Sequence, residues 1–539
     1  MCNMTPRLSR ILILVILLFL LTFEVDSIPG IHGDEAWSLL RSWEIGHGLR
    51  PFTGINSYTG SVFQYLLAPI FQILGYSVQV LRWTSAVLNM ATLALIMATM
   101  DALSDKATQV GTRVGALIAT LPIFVILSRF SIELTAITPL LVAAALYLMV
   151  SFDRQRVSTY SGIFSGILAG FLFALACYNH IVTLCFIASL GLSALLTWKM
   201  QAFRSHRFRI TLISFFFFYI PFLILAMQQT ETNGPATAHH FQGLIQNLKS
   251  LKFVSDLFEL PRVIVGLWDG SLLYRRFTGE NFVPVLPYAT FLIVFVLFWP
   301  FLFWLTRKVK PLFASYPLRK DSITHFLGLV LIIHFILVSI AVPYLSERWF
   351  ELNFLLGICL LAWMTEPLFM APRNTTRFYF ATVGHLLFIG LNIFYLSLNY
   401  FYAFSQSKGR LAVFSMGIRS LETSNHFIDK TALQEQLELN QIQTVATDNL
   451  TGWALLADPL IYLKPRYRVI GFRDPDLLPP SSEFHGKSAI VFMNGLNPIG
   501  TATVVPPNTD AIHFVTGETF RLAKGYDRKF LVYEATFKK

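Results

Sequence analysis

The sequence predicts an α-helical polytopic membrane protein of about eleven transmembrane helices, followed by a small C-terminal extracytoplasmic α/β domain. Three observations carry that prediction. Of 539 residues, 54% are hydrophobic, with 50 Phe and a mean hydropathy of +0.57, more apolar surface than one soluble core can hide. The apolar residues gather in runs long enough to cross a bilayer. The basic residues fall in alternate loops between those runs.

Arg7 and Arg10 precede an apolar run at 11–23 in which only Thr22 is polar, the layout of a signal sequence. The segment Glu24-Val25-Asp26-Ser27-Ile28-Pro29 offers no small-x-small cleavage site, which predicts an uncleaved anchor over 8–28 with a cytoplasmic N-terminus. Further runs of spanning length lie at 82–101, 113–128, 134–151, 158–177, 181–198, 210–228, 284–306, 322–343, 351–371 and 376–400. With this count the cytoplasmic loops carry seventeen Lys and Arg, from Arg7 to Arg377, whereas the short outer turns near 129, 179 and 347 carry Arg129 and Arg348.

One apolar run breaks the alternation. Residues 62–74 are short for a span, contain Gln64 and Gln72, and have Pro69 in the middle. Counting them as a span would invert the charge bias of every later loop, so they read as an interfacial or re-entrant helix within one external segment, 27–81. A second external segment, 229–283, balances five basic residues against five acids, and its Gly, Pro and amphipathic stretches predict short helices over the outer face. These segments belong to a transmembrane domain over 1–402. In the remaining 403–539, helices are predicted at 407–422 and 430–440, and strands at 443–446, 467–472, 488–493 and 529–535.

Several function classes drop out. The basic excess, 42 Lys and Arg against 31 Asp and Glu, is explained by topology and carries no nucleic-acid signal. The four cysteines, Cys2, Cys177, Cys185 and Cys359, lack metal-ligand spacing and read as inert thiols. No phosphate-binding GxxxxGK[ST] loop and no repeat of spanning length occurs.

Chemistry concentrates just beyond the first span, in Ile31-His32-Gly33-Asp34-Glu35-Ala36-Trp37. Adjacent carboxylates at a membrane edge are costly unless they bind or react, although Asp34 as the cap of a short helix would also explain its place. The topology puts Asp34, Glu35, Arg129, Glu133 and Arg348 at one outer surface. Arg129 and Glu133 are spaced i, i+4, and share a face if the helix has begun by then; an ordinary ion pair at a helix end is the plain alternative. Arg348, in Glu347-Arg348-Trp349, also suits interfacial anchoring. Tyr178-Asn179-His180 reads as a tight outer turn and nothing more.

These residues, together with Leu49-Arg50-Pro51-Phe52, Tyr58-Thr59-Gly60-Ser61, Leu66-Leu67-Ala68-Pro69 and Val80-Leu81-Arg82-Trp83, occur in an order and spacing that resembles the polytopic glycosyltransferases of the GT-C superfamily. The likeness is to the bacterial branch related to protein mannosyltransferases and the aminoarabinose transferase of lipid A. This chain departs from the pattern at Trp37 and Ser38, at Glu133 where Asp is frequent, and at Trp349 where Tyr is frequent.

The resemblance implies transfer of a sugar from a polyprenyl-phosphate donor to an extracytoplasmic lipid, glycan or protein acceptor, with inversion, in a bacterial inner membrane. It makes Asp34 the base and Glu35 an acceptor-orienting or cation-holding partner, with Glu133 and Tyr58 in support. Arg129 and Arg348 would hold the donor phosphate, with Arg50, Arg275 and Arg276 as weaker candidates. A divalent metal ion on Asp34, Glu35 and His32 stays open, because the second external loop offers no paired carboxylate and a lone loop histidine is more often solvated. Two other classes compete. A transporter or flippase of lipid-linked sugars would place ionisable groups near the bilayer midplane, and a scaffold or sensor would leave Asp34, Glu35 and Arg129 dispensable.

Overall fold

The computed structural model describes residues 5–25, 33–50, 59–104, 109–154, 159–233, 319–341, 350–370, 375–402, 436–448, 468–472, 484–493, 511–513, 519–523 and 530–537, with isolated positions at 247, 249, 250, 254, 256 and 482. The expected span at 284–306, the expected helix at 407–422 and most of the second external segment lie outside the described residues.

Ten of the predicted spans form helices. The first, α1 (Pro6–Thr22), opens on a Thr5 side chain that accepts from the Leu8 N–H, with Pro6 in the first turn where its missing donor costs nothing. It stops at Thr22, short of the expected 28, because Glu24 turns into the left-handed region (φ 45°) and breaks the hydrogen-bond ladder. Then follow α2 (Gly33–Gly46), α3 (Val62–Leu74) and α4 (Val78–Leu103).

The run expected as one span at 113–128 is two helices, α5 (Val110–Ala119) and α6 (Pro122–Ser128), bent by 67°. Leu121 is extended (φ −67°, ψ 116°), the conformation forced on a residue before proline, and Pro122 starts the new helix. After the short α7 (Glu133–Ala136) come α8 (Thr138–Arg154), α9 (Thr159–Asn179), α10 (Thr183–Trp198), α11 (His206–Asn233), α12 (Arg319–Ala341), α13 (Glu351–Met370) and α14 (Thr376–Tyr395), the last continued by a π-helical turn over Leu396–Tyr402. Among the described residues seven helices are long and apolar enough to cross a membrane, eight with the bent pair. The chain is a multi-pass membrane protein.

Helix α3 shows why its run does not read as a span. It is 13 residues long, and its two glutamines bind α2: Gln64 Nε2 donates to Ser38 Oγ (3.1 Å) and Gln72 Nε2 to the Gly46 carbonyl (3.2 Å). Phe63, Leu67 and Phe71 are buried with Ala36 and Leu39, whereas Ile73 is 80% exposed. A helix of this kind lies against its neighbour with one apolar edge left for lipid.

Polar contacts gather at two levels of the bundle. At one, Arg10 pairs with Asp101 and donates from Nε to Thr112 Oγ1 (3.1 Å), while Arg113 lies 4.2 Å from the Phe369 ring centre. At the other, Glu35, Arg82, Arg129, Phe23 and Phe401 meet. Arg82 and Asp101 are separated along α4 by about 28 Å at 1.5 Å per residue, which matches a bilayer hydrocarbon core.

The C-terminal region carries a six-stranded sheet in the order β2-β1-β3-β6-β5-β4, formed by β1 (Thr444–Asp448), β2 (Arg468–Phe472), β3 (Gly486–Met493), β4 (Ala511–His513), β5 (Thr519–Leu522) and β6 (Phe530–Phe537). Strand β1 runs parallel to β2 and β3, and the other pairs are antiparallel. The four predicted strands are present within two or three residues; β4 and β5 were not predicted. Val445 and Ala446 are both buried, as are Ala489 and Ile490. Neighbouring residues point to opposite faces, so the middle of the sheet is covered on both.

Candidate active site

Helix α2 begins at Gly33 and places both acids in its first turn, where the backbone dipole favours carboxylates. Consecutive helical residues diverge by about 100°, so the two acids have different fates. Glu35 turns inward and is 0% exposed. Its Oε1 accepts from Arg82 Nε (3.0 Å) and from the Ser131 backbone N–H (3.0 Å), and its Oε2 accepts from Arg82 Nη2 (2.8 Å). This is a two-pronged guanidinium–carboxylate pair with a further backbone donor. Arg82 also donates from Nη1 to the Val25 carbonyl (2.9 Å). Asp34 remains half-buried on the other side of the turn. Glu35 thus fixes where the helix starts, and Asp34 is the less buried of the two carboxylates.

Arg129, expected to hold the donor phosphate, makes its hydrogen bonds within the chain. It follows the end of α6, and its Nη1 and Nη2 donate to the Leu20 and Phe23 carbonyls, both at 2.6 Å. Those carbonyls belong to the open end of α1, so Arg129 caps that helix from outside. The guanidinium also lies 5.1 Å from the Phe401 ring centre and interacts with the Tyr400 hydroxyl. Burial lowers the Arg129 pKa from its ordinary value and raises that of Tyr400, so the phenol stays neutral beside the cation. No helix runs from Arg129 to Glu133: α6 ends at Ser128 and α7 starts at Glu133. The expected i, i+4 helical pairing therefore lacks its helix.

The turn after α9 holds the start of the 59–61 segment in place. Thr59 and His180 form an antiparallel bridge, and the Gly60 N–H donates to the Asn179 carbonyl (3.0 Å). A side chain at Gly60 would meet the Tyr178 carbonyl oxygen at 2.6 Å, so only glycine allows this approach. Asn179 Nδ2 donates to the Glu133 carbonyl (2.9 Å) and to Thr138 Oγ1 (2.8 Å), joining the same turn to α7 and α8. The turn read as featureless in the sequence is a three-way junction.

Of the other expected site residues, Arg50 lies at the far end of α2 and donates from Nη1 to the Ile45 and Leu49 carbonyls, 3.0 and 2.9 Å away. The structure does not bring it to the acids, since Ile45 is about 16 Å along the helix from Asp34. His32, Tyr58, Arg275, Arg276 and Arg348 lie outside the described residues. Among the described residues no three His, Cys, Asp or Glu side chains stand close enough to hold a metal ion. Sequence reading missed Arg82 as a site residue. Its signal was an arginine one turn inside an apolar span, which needs a buried partner.

No family model matches the sequence, and no curated protein matches it. Among solved structures, the chain is similar to ArnT from Cupriavidus metallidurans bound to undecaprenyl phosphate, with a TM-score of 0.54 over 97% of both chains at 12% identity. The chain has the GT-C fold. The apo state of that ArnT scores 0.45 over the same share of both chains. The archaeal oligosaccharyltransferase AglB from Archaeoglobus fulgidus, in complex with an inhibitory peptide and a dolichol-phosphate, scores 0.43 at 13% identity over 87% of this chain and 64% of its own. The GT-C fold supplies the frame in which Asp34, on a helix between the first two long helices, stands at one end of the bundle.

Proposed function

We propose that the protein is a membrane glycosyltransferase that moves a sugar from a polyprenyl-phosphate donor to a lipid, glycan or protein acceptor outside the cytoplasm, with inversion at the anomeric carbon. The observation that carries this reading is the division of the acid pair: Glu35 is fully buried on Arg82 and Ser131, and Asp34 stands half-buried beside it at the same helix start. The GT-C fold supports it, and so does the undecaprenyl phosphate bound to the ArnT of the same fold.

The chemistry needs little more. Asp34 accepts the proton of the acceptor hydroxyl as that oxygen attacks the anomeric carbon, and the polyprenyl phosphate departs with the electrons of the broken bond. A phosphate leaves without protonation, so one base and nearby cations suffice. Arg348, Arg275 and Arg276 are the remaining candidates for the donor phosphate. The reading also takes the chain to be a bacterial inner-membrane protein of eleven spans, with a cytoplasmic N-terminus and the sheet outside the cytoplasm. The Arg10 level then faces the cytoplasm.

The test is transfer of labelled sugar from membrane donors to envelope acceptors by wild type and Asp34→Asn at matched expression. Loss of a general base lowers turnover by roughly 10²- to 10⁴-fold, and donor binding should survive. Unchanged transfer in Asp34→Asn would remove Asp34 from the mechanism. Translocation of donor without transfer would favour a flippase, a reading to which the helices give little support: their described Asp, Glu, Lys and Arg residues lie within about two turns of helix ends.

A further inference from the structure

Glu351 opens α13 and is 2% exposed, yet both of its carboxylate oxygens are buried without a hydrogen-bond partner. It is the one described carboxylate in that condition at both oxygens. The first turn of a helix favours a negative charge through the dipole, but that supplies no hydrogen bond to either oxygen. A buried acid of this kind is a liability in the folded protein unless something donates to it.

Its place in the bundle shows where the donor would come from. Phe369, near the other end of α13, packs on Arg113 and His385 at the Arg10 level. Glu351 lies about 27 Å from Phe369 along the helix, the same rise that separates Arg82 from Asp101 along α4. Glu351 is therefore level with the Glu35 and Arg82 pair, at the end of the bundle where Asp34 stands. Phe350, just before it, packs edge-on to His334 and against Phe335, and is buried in the same core as Phe130 and Tyr400. The start of α13 is thus held by its neighbours, and the carboxylate is presented by a fixed backbone.

We infer that Glu351 reads the donor sugar, its two oxygens accepting hydrogen bonds from sugar hydroxyls when the lipid-linked sugar binds. Two acceptor oxygens with open lone pairs match a pair of hydroxyl donors. This inference rests on the transferase reading above, and it adds a specificity residue to that same end of the bundle. A site built to hydrogen-bond a hydroxyl discriminates strongly against a ligand that lacks it.

The experiment measures binding to the full-length protein in detergent. The probes are the polyprenyl-phosphate-sugar fraction extracted from native membranes and bare undecaprenyl phosphate. Wild type should prefer the sugar-bearing fraction by about tenfold or more, and Glu351→Gln should lose the preference while holding the bare lipid as before. Apo Glu351→Gln should melt no lower than wild type, since an amide of the same size replaces a buried carboxyl group that has no hydrogen-bond partner to lose. Glu351→Asp, which keeps the carboxylate on a shorter stem, should retain part of the preference and serves if the glutamine variant does not fold. A preference that survives in Glu351→Gln, an absent preference in wild type, or a variant that weakens both probes alike would each overturn the assignment. The two readings fail separately. Transfer by wild type with an unchanged donor KM in Glu351→Gln defeats only the Glu351 assignment. A lost preference in the variant, with no transfer by wild type, defeats only the transferase.

Discussion

Breaking the Glu35 and Arg82 pair from one side should cost more than removing it altogether. The side chains are 0% and 2% exposed and share two direct bonds of 3.0 and 2.8 Å, so neither charge has water to fall back on. Arg82→Met strips the Glu35 carboxylate of both guanidinium bonds, and removing one partner of a buried pair costs about 3–5 kcal/mol. Glu35→Leu leaves the guanidinium with the Val25 carbonyl and should cost a similar amount.

The double variant Glu35→Leu/Arg82→Met carries no stranded charge. Its remaining penalties are the Ser131 N–H and the Val25 carbonyl, which each lose this partner, at about 1–3 kcal/mol for an unsatisfied group. The assay is equilibrium unfolding of the four proteins in mixed micelles, read as a double-mutant cycle. A coupling of at least about 2 kcal/mol is expected, insensitive to added salt because the pair is dry. Singles that each cost less than about 1 kcal/mol and simply add would refute the reasoning, because that is how a solvated surface pair behaves.

Two further outcomes follow from the same end of the bundle. Gly60→Ala drives a methyl group into the Tyr178 carbonyl and ring, at 2.6 and 2.8 Å, and should lower stability by about 1–3 kcal/mol; an unchanged melting temperature would show that the 59–61 loop is not pinned there. Burial raises the Tyr400 pKa above 10.0, so its contribution to stability is whole below pH 10 and is lost as the pH climbs toward the folded-state value. Unfolding at about pH 8 and about pH 10.5 should therefore show a wild-type loss that Tyr400→Phe reduces, and equal losses would contradict it.

Apolar periodicity and loop charge made the helices legible, because a span in lipid must satisfy its backbone within itself. The bend between Ala119 and Pro122 was written in Pro122, but a hydropathy run averages over a single residue. The acid pair was legible as a candidate site. Its division was not, since it depends on Arg82 arriving from 47 residues away. Arg129 was legible as a cation at the level of the acid pair and not as a cap, because the carbonyls it satisfies are over a hundred residues earlier and leave no trace in side-chain pattern. Asn179 failed for the same reason: a turn motif looks alike whether or not it bonds elsewhere.

The capping of α1 has a consequence for biogenesis. Arg129 satisfies the Leu20 and Phe23 carbonyls at the end of that helix, and Arg82 satisfies the Val25 carbonyl just beyond it. The ribosome makes α1 first and its cap much later, so a nascent chain halted before residue 129 carries α1 without the arginine that holds the Leu20 and Phe23 carbonyls. Nascent chains arrested just before and just after that arginine emerges should differ in protease sensitivity at the end of the first helix, although every residue of that helix is already present in both.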